Sequence, residues 1–233
     1  MNKPVCIVVG VGPGNGSAIA RRFAAEGYAV ALVARGVEKL ADLERGLDHA
    51  RAYACDVTHA EQVGGVFGQI EQEMGPASVL IYNAGSGHFK NFDETNAEEF
   101  EADWKINALG LLLTGKAVVP QMRRGGGGAI VVIGATASLT GNAGFAPFAA
   151  AKSAQRSLAQ SMARHLDPEG IHVAYVIIDA IVDTPRAREM MPDRPDEFFA
   201  KPEHIAEAVW FLSQQPKSAW TFELDLRPFG EHW

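Results

Sequence analysis

The sequence predicts an α/β fold in which a mostly parallel, seven-stranded sheet is doubly wound, with helices on both of its faces. Two observations predict this class. Short runs of apolar, largely β-branched residues alternate with longer amphipathic segments along nearly the whole chain, and each run is apolar at almost every position. Strands that are buried on both faces show this continuous pattern, and right-handed crossovers connect them at this spacing. The predicted strands cover residues 5–9, 29–34, 50–55, 78–82, 129–133, 173–178 and 222–226.

The amphipathic segments between these runs predict the helices. Their apolar residues recur with the period of an α-helix, so each segment presents one apolar stripe to the sheet. Pro202 is typical of a first helical position, and Glu203 suits the positive end of the helix dipole. The predicted helices cover residues 17–27, 37–46, 60–74, 97–122, 147–166 and 202–214.

The alternation predicts a single domain over residues 1–233, because no internal repeat and no interdomain linker interrupts it. The glycine run at residues 125–128 is predicted to be a loop before the fifth strand. Residues 179–200 are rich in proline, methionine and charge, and they break the alternation. We expect this segment to leave the sheet and to form a substrate loop over it.

Composition excludes several classes of function. Hydrophobic residues make up 47% of the chain and the net charge is −7, which argues against disorder and against general nucleic-acid binding. The two cysteines cannot form a disulfide scaffold, which favours a reducing compartment. The sequence shows no membrane-length apolar run and no signal-peptide cleavage site, so we expect a cytoplasmic protein without a membrane partner. The seven histidines show no ligand spacing, so no metal site is predicted.

A glycine-rich turn, Gly10-Val11-Gly12-Pro13-Gly14-Asn15-Gly16, joins the first predicted strand to the first helix. Glycines at such a turn allow a tight bend, a close approach of the backbone to a pyrophosphate, and close packing of helix on strand. Many glycine-rich loops simply redirect the chain, but the flanking strand and helix favour dinucleotide binding. The predicted contacts are Gly10, Gly12, Gly14, Asn15 and Gly16.

The end of the second predicted strand indicates which dinucleotide binds. A carboxylate there would hold the ribose 2′-hydroxyl of NAD, but the chain reads Val33-Ala34-Arg35. The guanidinium of Arg35 suits the 2′-phosphate of NADP, so NADP(H) is favoured over NAD(H). The alternative is that Arg35 is an ordinary solvated side chain at a strand end.

Four further motifs follow the predicted strands and helices in a characteristic order. They are Asp56-Val57 after the third strand, Asn83-Ala84-Gly85 after the fourth, Asn107 within the fourth helix, and Thr184 after the sixth strand. With the glycine turn, they resemble the short-chain dehydrogenase/reductase family over essentially the full length of the chain. Val9 departs from the threonine of the family's TGxxxGxG motif, and Tyr82 departs from the first asparagine of its NNAG motif.

This resemblance implies a Rossmann-type NAD(P)-binding domain, and it adds cofactor contacts to those of the glycine turn. In the family the aspartate after the third strand contacts adenine, and the threonine after the sixth strand contacts the nicotinamide end. The cofactor-binding residues that the resemblance implies are Asp56, Val57, Asn83, Ala84, Gly85, Lys152 and Thr184.

The resemblance also implies a catalytic site, of which this chain keeps only part. Asn107 and Lys152 match two members of the family's catalytic tetrad. Phe148, four residues before Lys152, stands where the family has its tyrosine, and Ala135, thirteen residues earlier, stands where it has its serine. In the family the tyrosine donates a proton, the serine holds the substrate oxygen, and the lysine also binds the nicotinamide ribose. We therefore expect cofactor binding, but no ordinary alcohol–ketone chemistry by the family mechanism.

Two residues are candidates for a replacement proton donor. His88 lies shortly after Asn83-Ala84-Gly85, and a histidine can donate a proton near neutral pH. Asp179 ends the sixth strand, where an apolar setting would raise the pKa of a carboxyl group. Each residue also has a plainer interpretation: His88 as a solvated loop side chain, and Asp179 as a hydrogen-bond acceptor for loop backbone amides.

Two functions remain open on the sequence. The first is an NADP(H)-binding oxidoreductase that resembles short-chain dehydrogenases and has an incomplete catalytic tetrad, acting on a small molecule whose identity the sequence does not indicate. The alternative is a non-catalytic NAD(P)-binding pseudoenzyme that acts as a sensor or an assembly partner. For either function, the family resemblance favours a homodimer or homotetramer.

Overall fold

Seven strands form one parallel sheet in the computed structural model, which describes residues 3–231. Their order across the sheet is β3-β2-β1-β4-β5-β6-β9, and each neighbouring pair is parallel. The strand order reverses between β1 and β4, which is where a crevice opens in doubly wound sheets. The predicted fold class is confirmed. The strands are β1 (Val5–Val9), β2 (Ala29–Ala34), β3 (Ala50–Ala54), β4 (Ala77–Tyr82), β5 (Gly128–Ile133), β6 (Ile171–Ile178) and, after two short strands described below, β9 (Glu223–Leu226).

Helices cover both faces of this sheet. One apolar cluster joins the sheet to α3, α5 and α6, and a second cluster on the opposite face joins it to α1, α2 and α8. The predicted helices lie within one or two residues of the observed ones, apart from the two cases described below. The helices are α1 (Asn15–Ala25), α2 (Ala41–Arg45), α3 (Ala60–Met74), α4 (Ala97–Trp104), α5 (Gly110–Arg124), α6 (Ala146–Leu166), α7 (Pro185–Met190) and α8 (Pro202–Ser213).

The central strand β1 shows why the strands are apolar throughout. Successive side chains of a strand point to opposite faces of the sheet. Val5, Ile7 and Val9 therefore pack into one cluster, while Cys6 and Val8 pack into the other, and all five are buried. A sheet that is covered on both faces needs apolar side chains at consecutive positions, which is the pattern that predicted it.

The predicted helix over residues 97–122 contains an irregular turn. Helices α4 and α5 are joined by one π-helical turn, Lys105–Leu109. The phenol of Tyr82 donates a hydrogen bond to the carbonyl of Ile106 inside this turn. Gly110 makes room for that phenol, because a Cβ there would lie 2.2 Å from the Tyr82 hydroxyl oxygen. Single π-helical turns are frequent at functional sites, and this one carries Asn107.

Three other local predictions need correction. The predicted helix over residues 37–46 begins as a 3₁₀ turn, Glu38–Leu40, before α2. Gly128, which was predicted to lie in a loop, begins β5. The segment 179–200 leaves the main sheet as predicted, but it contains α7 and a two-stranded parallel sheet of β7 (Ile181–Val182) and β8 (Phe199–Ala200). Short-range hydrophobic periodicity did not reveal these pairs because they are only two residues long.

Within residues 3–231, no helix is both long enough and apolar enough to cross a membrane. Cys6 and Cys55 are buried, unpaired thiols. Burial raises the pKa of the Cys55 thiol to about 11, with a smaller contribution from the neighbouring Asp56 carboxylate. The prediction of a single domain over residues 1–233 stays a prediction, and Met1, Asn2, His232 and Trp233 lie outside the described residues.

Candidate functional site

A cavity of about 380 Å³ opens at the carboxyl ends of β1, β2 and β4, next to the point where the strand order reverses. Ligands of doubly wound sheets bind at this position. The cavity brings together predicted cofactor contacts from four separate parts of the sequence, whereas Gly12, Gly14, Asn15, Gly16, Lys152 and Thr184 do not line it. Its lining includes Gly10, Arg35, Asp56, Val57, Asn83, Ala84 and Gly85.

The glycine turn packs directly against the loop that follows β4. Gly10 has a φ of +87°, and a Cβ there would lie 2.4 Å from the backbone nitrogen of Ala84. Asn83 Nδ2 donates a hydrogen bond of 2.7 Å to the Gly10 carbonyl, which holds the two segments together. A Cβ at Gly16 would lie 2.7 Å from the same carbonyl. Any side chain at Gly10 or Gly16 would therefore separate the turn from the sheet.

Gly12, in contrast, faces open space, with no heavy atom within 4 Å of a Cβ placed there. Packing does not require glycine at this position, whereas close approach of a ligand to the backbone does. Helix α1 begins at Asn15, and its first turn carries no acidic side chain. The positive end of its dipole therefore faces the turn uncompensated, which suits a pyrophosphate.

Two cations line the part of the cavity that follows β2. Arg35 lies there directly after the strand, and Lys39 joins it from the 3₁₀ turn, together with Glu38. The sequence analysis did not single out Lys39. A positive charge four residues after Arg35 was the available signal, but only the 3₁₀ turn shows that both side chains reach the same cavity.

Asp56 also lines the cavity. Partial burial opposes ionisation of its carboxyl group, but hydrogen bonds from Thr58 outweigh the burial and lower the pKa of Asp56, with further help from His59 and Arg35. The Thr58 backbone nitrogen and hydroxyl lie 3.0 and 2.8 Å from Asp56 Oδ1. The carboxylate is thus ionised and oriented at the cavity wall.

Asn107 and Lys152 meet beside Gly85. A Cβ at Gly85 would lie 3.2 Å from Asn107 Oδ1 and 3.6 Å from Lys152 Nζ. Asn107 is fully buried, and its Nδ2 donates to the carbonyls of Ser86 and Asp103 at 2.9 Å each. Its Oδ1 is buried without a hydrogen-bond partner. Such an acceptor is costly unless a water or ligand group fills the position.

Lys152 is held by two oxygens from inside the protein. Its ammonium donates to the Ile133 carbonyl at 3.1 Å and to Gln155 Oε1 at 3.0 Å. The side chain is only 6% exposed, and burial lowers the pKa of Lys152 to about 8. Gln155 also donates to the Asn107 carbonyl at 3.1 Å, so one buried amide connects the two residues.

Phe148 lies in an aromatic cluster instead of a polar one. Its ring centroid is 5.2 Å from that of Phe89 and 6.3 Å from that of Phe145. A Cβ at Gly87 would lie 2.7 Å from the Phe148 ring, so the loop after β4 packs directly against that ring. Ala135 follows β5 in extended conformation and brings only a methyl group.

The two predicted alternative donors have different environments. Asp179 accepts a hydrogen bond of 2.7 Å from Thr136 Oγ1, and therefore pairs with a side chain instead of the predicted backbone amides. His88 is not merely solvated: its Nδ1 lies 3.0 Å from Oδ1 of Asp103, and its backbone nitrogen donates to Oδ2 at 2.8 Å. Asp103 is completely buried.

Thr184 connects the segment 179–200 to the glycine turn. Its hydroxyl accepts a hydrogen bond of 3.1 Å from the backbone nitrogen of Ala187, which caps α7. Its methyl group would lie 2.8 Å from a Cβ at Gly14. The resemblance implied that Thr184 lies near the cofactor, and it does lie beside the glycine turn.

Comparison with known proteins identifies the family of this chain. The family model for short chain dehydrogenases matches residues 4–195. The chain belongs to the short-chain dehydrogenase family. It is 30% identical to human 3-oxoacyl-[acyl-carrier-protein] reductase over 219 residues, which cover 91% of this chain and 92% of the human protein.

Solved structures of this family superpose closely on the chain. A short-chain dehydrogenase from Rhodopseudomonas palustris has a TM-score of 0.84 and 36% identity, and the match covers 98% of this chain and all of that one. A metagenomic short-chain oxidoreductase, solved in complex with NADP, has a TM-score of 0.85 and 27% identity, with 98% of each chain covered. Short-chain dehydrogenases typically bind NAD(P)(H).

Two buried residues of the site in this short-chain dehydrogenase, Asp103 and Gln155, were not predicted from the sequence. Asp103 precedes Asn107 in the same predicted helix, but only Asn107 was assigned a role there. Their spacing of four places both on one helix face, which was the available signal. No local signal marks Gln155, because its partners come from other elements. Among the described residues, no three His, Cys, Asp or Glu side chains are arranged to hold a metal ion.

Proposed function

We propose that this protein is an NADP(H)-dependent oxidoreductase that reduces a small-molecule carbonyl or imine at a site lacking the hydroxyl groups usual in its family. The observation that carries this proposal is a cavity at the carboxyl ends of the strands, lined by four of the predicted cofactor-binding segments. Its Gly85 lies next to the retained Asn107 and Lys152. The glycines of the turn sit where a side chain would clash or would block ligand approach. A turn that served only to pack the chain would not need glycine at position 12, where a Cβ would meet no other atom.

The preference for NADP(H) follows from charge at the adenosine end. Arg35 and Lys39 line the cavity there, and β2 ends without a carboxylate. The nearby Glu38 would disfavour a 2′-phosphate, but two cations outnumber it. We expect NADPH to bind at least about tenfold more tightly than NADH, since one charge-assisted contact contributes roughly 1.5–3 kcal/mol.

Fluorescence titration with both cofactors tests this preference. The R35A variant should lose about tenfold in NADPH affinity and little in NADH affinity. R164A removes an exposed arginine on α6 and serves as the matched control. Equal losses for the two cofactors in R35A would contradict a 2′-phosphate contact.

Lys152 and Asn107 are suited to hold and orient the nicotinamide end. NADPH supplies a hydride to an electrophilic carbon when it is bound. With a pKa of about 8, the Lys152 ammonium is mostly protonated at neutral pH and can donate to ribose hydroxyls. The unpartnered Asn107 Oδ1 offers an acceptor beside it. These roles require no phenol at position 148.

Proton donation is where this site differs from the family pattern. Phe148 and Ala135 stand at the positions that correspond to the family tyrosine and serine, and neither side chain can donate a hydrogen bond. General acid catalysis typically contributes about 10²–10⁴ in rate, and one oxyanion donor about 10²–10³. We therefore expect reduction of substrates that need little acid assistance, such as protonated imines, or a donor from another position.

NADPH oxidation over a panel of aldehydes, ketones and cyclic imines tests the activity. Aromatic members belong in the panel, because Phe89, Phe145 and Phe148 form an aromatic cluster around the position that corresponds to the family tyrosine. Steady turnover of at least one member is the expected result. Tight NADPH binding without turnover of any member would contradict the proposal.

A second candidate is a non-catalytic NAD(P)-binding protein that acts as a sensor or an assembly partner. The loss of both hydroxyls favours it, since two independent losses are less expected where chemistry is required. The same panel separates the two functions. We also propose a cytoplasmic homodimer or homotetramer with no nucleic-acid or membrane partner, and light scattering on a sizing column would measure the assembly.

A further inference from the structure

Three of the side chains described above could supply a proton to a substrate. Lys152 directs its ammonium to two protein oxygens, and the Asp179 carboxyl is engaged with Thr136. His88 is the third, and its ring keeps one nitrogen that no described hydrogen bond uses, because only Nδ1 has a partner. His88 lies in the loop that follows β4.

Successive residues of that loop contact different residues of the site. Gly85 lies against Asn107 and Lys152, and Gly87 lies against the ring of Phe148. His88 comes next in the chain, so it follows directly on the residue that packs against the aromatic ring at position 148. The His88 side chain is 39% exposed, and it can therefore exchange protons with water.

Asp103 holds His88 at two points. The carboxylate accepts hydrogen bonds from the backbone nitrogen of His88 at 2.8 Å and from Nδ1 at 3.0 Å, and Ser86 Oγ donates to it at 2.8 Å. A fully buried carboxylate with three donors is a rigid anchor. It fixes the proton of neutral His88 on Nδ1 and leaves Nε2 without a described hydrogen-bond partner.

Asp103 is also hydrogen-bonded to Asn107, a residue of the family's catalytic tetrad. Asn107 lies one helical turn after Asp103, and its Nδ2 donates to the carbonyls of Asp103 and Ser86. The π-helical turn therefore positions the Asn107 amide, while the end of α4 positions His88 through Asp103. A solvated surface histidine needs no buried carboxylate of this kind, and the exposed pair His165–Glu169, 4.0 Å apart, shows the usual arrangement.

We propose that His88, oriented by Asp103, is the general acid of this site and supplies the proton that the family takes from tyrosine. The inference rests on the proposed function. When a carbonyl carbon accepts a hydride, the electrons of its π bond move to oxygen, and that oxygen takes the proton from Nε2 of doubly protonated His88. The carbonyl is reduced to an alcohol, the cofactor is oxidised to NADP⁺, and neutral His88 regains a proton from water.

Kinetics of His88 variants test the assignment. On the best panel substrate, H88A and H88Q should lose about 10²-fold or more in kcat, while the Kd for NADPH stays within about twofold. Added imidazole should restore turnover of H88A in proportion to its concentration, because the truncated side chain leaves room for it. H165A, which removes an exposed histidine on α6, should match the wild type.

The positioning role of Asp103 has a readout that needs no cofactor and no turnover. In ¹⁵N NMR spectra of the cofactor-free protein, neutral His88 should carry its proton on Nδ1, and D103N should shift the ring toward the Nε2-protonated form. D103N should also lower kcat without raising the Kd for NADPH.

The outcomes separate this proposal from the function on which it rests. A wild type that binds NADPH but reduces no panel member overturns both. Turnover of H88A equal to that of the wild type, or a neutral His88 protonated on Nε2 in the wild type, overturns the assignment of His88 alone. The assignment is also contradicted if H88A and H88Q both unfold at a lower temperature than the wild type and imidazole does not restore the turnover of H88A. A loss of folding would then explain the lost turnover.

Discussion

Lys152 keeps a positive charge inside the protein, and replacing it with methionine removes that charge at similar length. Burial lowers the pKa of Lys152 from its ordinary 10.5 to about 8. The unfolded chain therefore binds this proton more tightly than the folded protein does. Burying this charge therefore lowers the free energy of unfolding most below pH 8. As the pH rises from about 8 to 10.5, the free energy of unfolding of the wild type should increase relative to that of K152M.

The size of this effect follows from the pKa difference. The full shift corresponds to roughly 3 kcal/mol, and about 2.5 kcal/mol of it falls between pH 7 and pH 10. The hydrogen bonds from Lys152 to Ile133 and Gln155 are lost in K152M at every pH. They change the level of the stability difference between the two proteins, but they do not produce the rise between pH 7 and pH 10.

Urea unfolding followed by tryptophan fluorescence measures this difference at several pH values. Groups that titrate alike in both proteins cancel, so the comparison isolates Lys152. Curves of unfolding free energy that stay parallel from pH 7 to pH 10 would show that Lys152 has an ordinary pKa. The conclusion that burial lowers the pKa of Lys152 would then be wrong.

Three further predictions concern the turn and the altered tetrad. G10A should unfold at a markedly lower temperature than the wild type, because its Cβ would overlap Ala84 and its φ is positive. G12A should keep the wild-type unfolding temperature but lose about tenfold or more in NADPH affinity, because its Cβ enters open space at the turn. Equal behaviour of these two variants in calorimetry and fluorescence titration would contradict the division of roles. The double variant A135S/F148Y should gain carbonyl reduction by about 10²-fold or more in an NADPH oxidation assay, since it restores a proton donor and an oxygen-binding hydroxyl. No gain at unchanged NADPH affinity would mean that the site differs from the family pattern at more than these two positions.

Local pattern was enough to predict the sheet and most of the helices. Strands such as β1 and β6 are buried on both faces, so each must be apolar at consecutive positions, and this requirement is visible in a short window of sequence. The glycine turn could also be predicted from the sequence, because a positive φ and close backbone contacts allow almost no residue other than glycine at position 10.

Tertiary structure alone decided what surrounds the site. The sequence by itself determined that Phe148 brings no hydroxyl, but it did not show the aromatic cluster that the ring joins. It offered His88 as a candidate donor without its partner, because Asp103 lies fifteen residues away and reaches His88 only when α4 folds against the loop after β4. Gln155, three residues after Lys152, bonds to Asn107, which lies 48 residues earlier in the chain. Hydrogen bonds between distant segments depend on packing geometry, which no local periodicity records.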